Sequence, residues 1–319
     1  MTDLETKEFR TPLGQTGLNV YARNKRRADR APFGAERTLL MVHGATYPAS
    51  VVFDLPIEGA SWMDHLAQAG FDVWVMDLPG YGRSDRPKEM DCAPGDGEPV
   101  VTTETAISAV SAVVDLILRE RGIDSLNLLG WSWGTAIMAG YTQANAARVK
   151  KLALFAPLWL ISGTPTIGDP NAKLGAWRGV TREETKARWL RGVPEQSQES
   201  LIPTGVFDAF WKAAQATDPV GAAMTPPILR APNGVLFDVG RYWTKGLPTW
   251  DPARIECPVL IALGEWDADT PPSMANKIFP LLARAKSKKL VVLGRGTHTM
   301  ALEAERRALF AEVLRFLED

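Results

Sequence analysis

Residues 126–138 read Leu126-Asn127-Leu128-Leu129-Gly130-Trp131-Ser132-Trp133-Gly134-Thr135-Ala136-Ile137-Met138. A short apolar run leads into a Gly-x-Ser-x-Gly turn, and a helical pattern through Ile137, Met138 and Tyr141 follows. Strand, sharp turn and helix in that order lift a serine hydroxyl above the end of a sheet and set it at a helix N-terminus. The two glycines remove side chains where strand and helix must come close. Helix N–H groups at that point favour developing negative charge. The stretch therefore predicts a parallel sheet and a nucleophile, Ser132.

Working outward, five further apolar runs have the same character: Leu39–Val42, Val73–Met76, Leu152–Phe155, Val259–Leu263 and Leu290–Leu293. Continuous runs of four or five apolar residues are what parallel strands covered on both faces look like. Helical periods lie between them. Ile107, Val110, Val113, Val114 and Ile117 share one face, as do Leu309, Phe310, Val313 and Phe316. The alternation predicts an α/β fold with helices on both faces of the sheet. Two N-terminal strands are expected near 8–12 and 18–23, joined by a turn at Gly14–Gly17. The basic cluster Arg23–Arg30 reads as a solvated turn.

The alternation breaks between Leu160 and Glu256. This segment holds five of the eleven tryptophans. Thr181 and Glu184 form a capping-box pair that starts one helix, and Val206–Ala216 reads as another. An apolar-helical insert late in a parallel sheet predicts a cap over the sheet's carboxyl edge, where ligands bind in such folds. The expected division is a core of residues 1–160 and 251–319 and a helical cap of 161–250.

A serine hydroxyl needs a base. The chain has three histidines, and only His298 follows Ser132, directly after the last apolar run. Its ordinary pKa near neutrality suits proton transfer. An acid should follow a strand between the two. Gly264-Glu265-Trp266-Asp267-Ala268-Asp269 does so, with Asp267 preferred, Asp269 the alternative and Glu265 behind both. Two backbone N–H groups must face the developing oxyanion. Trp133 supplies one, and the loop His43-Gly44-Ala45-Thr46 the other, with Ala45 ahead of Thr46. His43 reads as a brace for that loop and His65 as an exposed helix residue. Tyr47, Trp131 and Trp159 are expected to line an aromatic substrate pocket.

Composition narrows the function. Thirty-six basic and thirty-seven acidic residues leave a net charge of −1, which argues against nucleic acid as a partner. The charged N-terminus carries no apolar signal core, and no apolar stretch is long enough to span a membrane. Cys92 and Cys257 make no framework, and a reducing, cytoplasmic setting fits them. No metal-spaced cluster and no phosphate loop after the first strand is present, so neither metal nor cofactor is expected. The partner implied is a small-molecule substrate.

His43-Gly44, Asp77-Leu78-Pro79-Gly80-Tyr81-Gly82-Arg83-Ser84, the Ser132 turn, Gly264-Glu265-Trp266-Asp267 and Gly296-Thr297-His298 together resemble the α/β-hydrolase superfamily, from about residue 8 to 319. The resemblance implies a mostly parallel eight-stranded sheet with a lid inserted after the sixth strand. It implies a Ser-His-Asp hydrolase, and the tryptophan content points to an ester, with amide, lactone and carbamate behind it, of a bulky apolar molecule. Carbon–carbon bond hydrolases, or other cofactor-free enzymes of the same fold, are the alternative. Haloalkane dehalogenases and epoxide hydrolases carry Asp where Ser132 stands. Proline iminopeptidases share Ser132-Trp133-Gly134 but have Gly-Pro-Gly where this chain has Ala45-Thr46-Tyr47. A ligand receptor built on the same scaffold would not need nucleophile, base, acid and oxyanion loop together.

Overall fold

A computed structural model of the chain describes residues 3–169 and 172–319. Among the described residues ten strands are present: β1 Leu4–Pro12, β2 Asn19–Arg27, β3 Thr38–Val42, β4 Asp72–Asp77, β5 Leu126–Trp131, β6 Val149–Phe155, β7 Trp177–Thr181, β8 Ile228–Pro232, β9 Val259–Gly264 and β10 Lys288–Leu293. Eight form one sheet in the order β1-β2-β4-β3-β5-β6-β9-β10. β1, β2 and β4 pair antiparallel, and every pairing from β4 to β10 is parallel.

Side chains alternate across these strands, so each run feeds two cores. Leu40, Val42, Leu128 and Ile261 pack with the helix Thr103–Arg121 on one face. Leu39, Met41, Leu129 and Ala262 pack with the helices Trp62–Gln68 and Arg306–Glu318 on the other. Coverage on both faces is why the runs are unbroken. The last run departs from this. β10 is an edge strand, and Val292 is 45% exposed.

The N-terminal strands run further than their apolar content suggests, and the basic cluster is corrected accordingly. Arg23, Asn24, Lys25, Arg26 and Arg27 lie within β2, and only Ala28 onward leaves it. Partners from elsewhere in the chain hold these charges. Arg23 and Lys25 meet Asp54 at 2.7 and 2.6 Å, Lys25 also meets Asp64 at 2.8 Å, and Arg26 meets Glu5 on β1 at 2.8 Å.

Between β6 and β9 the chain forms the expected helices Arg182–Trp189, capped by Thr181 and Glu184, and Val206–Ala216, and a third, Gly234–Arg241. It also forms an antiparallel ribbon, β7 with β8, which the helical reading missed. The strands are five residues each and carry Gly179 and Pro232, which hides their alternation.

This segment is tied to the sheet end by two buried carboxylates. Asp269 meets Arg188 at 2.6 Å and Arg191 at 3.2 Å. Glu303 accepts hydrogen bonds from Trp189 Nε1 at 2.8 Å, from Thr297 N at 2.9 Å and from the Thr297 hydroxyl. Burial pushes the Glu303 carboxyl up to about 7, against those three donors. The folded protein therefore keeps a proton that the unfolded chain releases near 4.5. The stabilisation from that proton is full below the unfolded value and is lost as the pH rises through the folded one. Wild type should accordingly lose more Tm between about pH 5 and pH 8 than Glu303→Gln, which cannot titrate. Calorimetry giving parallel curves for the two would show that Glu303 does not titrate in this window.

Candidate active site

Ser132 sits between β5 and the helix Trp133–Ala144 with φ 57 and ψ −123, a conformation uncommon for any residue but glycine. Its neighbours explain why it holds. A Cβ on Gly130 would lie 2.3 Å from the Gly134 carbonyl oxygen, and one on Gly134 would lie 2.4 Å from the Val42 oxygen and 2.6 Å from that of His43. A side chain at either position would push the helix off the strand ends. The strain at Ser132 is thus imposed by packing on both sides of it.

Ser132 Oγ lies 2.8 Å from His298 Nε2, across 166 residues of sequence. His298 Nδ1 lies 2.9 and 3.0 Å from the two oxygens of Asp267. That carboxylate also accepts from the backbone N–H groups of Asp269 and Thr270, at 2.9 and 2.8 Å, and from the Thr270 hydroxyl at 2.9 Å. A carboxylate only accepts, so Nδ1 carries the hydrogen and the Nε2 lone pair faces Ser132. Trp131 Nε1 donates to the His298 carbonyl at 2.8 Å and fixes the histidine's backbone.

The other two acid candidates lie apart from this line. Asp269 faces Arg188 and Arg191, with one oxygen 4.0 Å from His298 Nε2. Burial opposes its ionisation, but the Arg188 guanidinium and His298 outweigh that and hold the carboxyl below the usual range. Glu265 is exposed and accepts from Arg295 N at 2.6 Å.

The loop after β3 runs against the nucleophile. A Cβ on Gly44 would lie 2.6 Å from Ser132 Cβ. Ala45, Ser132 and Trp133 line one cavity. His43 holds this loop. Its Nε2 lies 3.0 Å from Leu78 N, which can only donate, so its Nδ1–H donates to the Gly44 carbonyl at 2.6 Å. Burial lowers the His43 pKa and keeps the ring neutral in this role. His65 is exposed on the helix Trp62–Gln68.

The cavity in front of Ser132 is about 110 Å³. Its walls are mainly aliphatic and hydroxyl side chains, among them Leu158, Leu160, Val235, Thr164, Thr166 and Met274, with Trp133 the one aromatic among the described residues. This corrects the expected aromatic lining. Trp159 turns away: its backbone N–H meets Met274 Sδ at 3.2 Å, and its indole faces the Trp250 carbonyl. Its neighbours Leu158 and Leu160 take the wall, with Ile161 and Ser162 beyond them. Tyr47 and Trp131 line a smaller cavity on the far side of His298, with Thr185, Trp189 and Thr299. The Tyr47 hydroxyl donates to Thr185 Oγ1 at 3.0 Å. Arg188 and Asp269 line both cavities and stand between them.

Sequence reasoning missed Arg188, Thr270 and Glu303. Each works through tertiary contact, and only Thr270 lies close in sequence to a candidate acid. Among the described residues no group of three or more His, Cys, Asp or Glu is arranged to hold a metal ion. No helix among them is long and apolar enough to cross a membrane.

Comparison with known proteins places this site in context. The lipase lipl-3 of Caenorhabditis elegans is 28% identical over 132 residues, 40% of this chain and 32% of the lipase. A 2-hydroxy-6-oxononadienedioate/2-hydroxy-6-oxononatrienedioate hydrolase of Cupriavidus pinatubonensis is 31% identical over 123 residues, 38% of this chain and 36% of that one. The chain thus matches about a third of the length of these curated relatives. Among solved structures, the 2-hydroxy-6-oxo-6-phenylhexa-2,4-dienoate hydrolase of Rhodococcus sp. strain RHA1 superposes with a TM-score of 0.64 at 18% identity, covering 99% of this chain and 100% of that one. A thermophilic esterase from Thermogutta terrifontis gives 0.59 at 17% identity over 98% and 100%. These two likenesses are of fold. The sequence matches the alpha/beta hydrolase fold family over residues 37–303, and the chain belongs to that family.

Proposed function

We propose that this hydrolase cleaves an ester or related carbonyl bond through a covalent acyl-enzyme on Ser132. The observation that carries the reading is the unbroken line Asp267–His298–Ser132, with contacts of 2.9 and 2.8 Å, ending at a strained serine. Ser132 Oγ attacks the carbonyl carbon as its proton passes to His298 Nε2. The N–H groups of Ala45 and Trp133 hold the resulting oxyanion. Collapse breaks the bond to the leaving alcohol, which takes the proton from Nε2. Water then attacks the acyl carbon by the same path and restores Ser132. Asp267 keeps the imidazole in the required tautomer and stabilises its cation.

Residues 161–250 act in this reading as a cap domain on a core of 1–160 and 251–319, and the substrate is a small molecule held between them. The size of the cavity supports a compact substrate. At about 110 Å³ it is smaller than a benzene-sized cavity of ~150 Å³. A compact acyl group with apolar and hydroxyl-bonding character fits it. A second reading, hydrolysis of a carbon–carbon bond, takes its support from the 31% identity to the Cupriavidus enzyme.

Three variants and a substrate series test this reading. Ser132→Ala should abolish labelling by an organophosphonate and lower turnover by several orders of magnitude. Asp267→Asn should cost roughly 10³–10⁴-fold in kcat, because the amide would donate to Nδ1 and impose the wrong tautomer. Asp269→Asn should keep kcat within about tenfold, since it leaves the Asp267–His298–Ser132 line intact, while costing stability by leaving the buried Arg188 without its anion. Wild-type turnover in Ser132→Ala, or a larger loss at Asp269 than at Asp267, overturns the assignment. On a series of p-nitrophenyl esters, kcat/KM should peak at acyl chains of about two to four carbons, as the small cavity requires. A maximum at eight carbons or more would contradict the compact substrate, and turnover of a carbon–carbon substrate with no ester turnover would favour the second reading.

A further inference from the structure

Arg178, on β7, faces the oxyanion loop without an acid partner. Its Nη1 donates to the Pro232 carbonyl at 2.7 Å and to Asn233 Oδ1 at 3.4 Å, and its Nη2 donates to the Thr46 hydroxyl at 3.0 Å. Among the described residues no carboxylate lies within ion-pair distance of it. Three other arginines of the same segment are matched: Arg188 and Arg191 with Asp269, and Arg230 with Asp218. The charged and titratable groups that act on Arg178 are Tyr81, Arg188 and Tyr47, and none is an anion at neutral pH. Burial without a counter-charge pulls its pKa below the ordinary guanidinium value, although an arginine stays protonated regardless.

The residue it holds is unusual. Thr46 is buried and sits at φ 89, where a β-branched side chain is strained. Such a conformation persists only where the surroundings fix it. The surroundings are Arg178 and the buried Tyr81 hydroxyl, which faces both Thr46 and the guanidinium without a well-aligned hydrogen bond to either. Thr46 in turn adjoins Ala45, which lines the cavity with Ser132. A half-buried cation with no anion is costly in the resting protein. That cost is offset when an oxyanion forms one residue away. An interaction stronger in the transition state than in the ground state is what accelerates a reaction.

We propose that Arg178 is a positioning residue for the oxyanion loop: it holds Ala45 N–H in place through Thr46, and its unneutralised charge favours the anion that forms there. The proposal rests on the acyl-enzyme reading above. The test compares Arg178→Met with Arg178→Lys. Both lose the forked hydrogen bonds, and only the first loses the charge. Three quantities are measured: the rate at which an organophosphonate modifies Ser132, followed by intact mass; kcat and KM on p-nitrophenyl acetate; and Tm.

Arg178→Met should slow labelling and kcat by at least about tenfold with KM within about threefold, a loss below that of deleting an oxyanion donor itself. Arg178→Lys should lie closer to wild type in both rates, while the two variants lose similar Tm. Wild-type labelling in Arg178→Met, or equal loss in Met and Lys, overturns the proposal. Where Arg178→Met does not fold, Thr46→Val carries the test. It should slow labelling with KM unchanged, and a wild-type rate overturns the proposal. A wild-type protein that fails to label at Ser132 defeats the acyl-enzyme reading and this proposal with it. Normal labelling of wild type with unaffected variants defeats the proposal alone.

Discussion

The structure depends on one close contact. The end of β3, the end of β5 and the first turn of the helix Trp133–Ala144 meet where Gly130, Gly134 and Gly44 each leave room for a neighbour's backbone or for Ser132 Cβ. The contact does two things at once. It forces Ser132 into the left-handed region, and it presses the loop after β3 against the same serine. Ser132 and the loop after β3 are therefore placed by packing between regular elements, not by loop preference. His298 must travel further. His298 follows β10, three steps from β5 in the sheet order, or roughly 14 Å at ~4.8 Å per step. The loop after β10 crosses the end of β9 to make up that distance. A Cβ on Gly264 would lie 2.1 Å from the Gly296 carbonyl, and Trp266 N donates to that carbonyl at 2.9 Å. Glycines at both crossings bring separated strand ends to one point.

Three buried carboxylates surround His298, and their environments separate their roles. Asp267 meets four donors, one of them the imidazole. Asp269 is matched by two arginines and so is charged but engaged. Glu303 has three neutral donors and no cation on its carboxyl, which leaves burial to dominate. The same functional group thus serves as imidazole orienter, ionic tie and titrating hydrogen-bond hub, according to whether its neighbours are neutral donors or cations.

Much of this was legible in the sequence because it is governed by local rules. The six apolar runs reveal strands since both faces are covered, and the Gly-x-Ser-x-Gly turn is read from the strand before it and the helix after it. Asp267 could be favoured over Asp269 only by its position after a strand. What separates them physically is Arg188, from a helix about 80 residues earlier, and no local pattern reports that pairing. The basic cluster misled for the same reason. Charge in a row suggests solvent, but Asp54 and Asp64 are 29 and 39 residues from Lys25 and become visible only once the helix Trp62–Gln68 lies beside β2. The ribbon β7–β8 is stabilised by pairing across some fifty residues, and its strands are too short to announce themselves.

The tryptophans carry the clearest physical lesson. A high indole content beside a serine turn suggests a stacking surface for substrate. The folded chain spends the indoles otherwise. Trp131 donates to the His298 carbonyl, Trp133 to Thr103, Trp189 to Glu303, Trp177 to Cys92 and Trp74 to Asp72. An indole combines a large rigid apolar body with a single fixed donor, so burying it in the core while its N–H reaches one acceptor locks two distant segments in register. Trp131 and Trp189 do this on either side of the catalytic loop, one through the His298 backbone and one through the carboxyl that holds Thr297. Placing the rigid aromatic mass behind His298 leaves the space in front of Ser132 to small aliphatic and hydroxyl groups. The indoles thereby help to hold His298 in place, and among the described residues Trp133 alone of them also lines the cavity in front of Ser132.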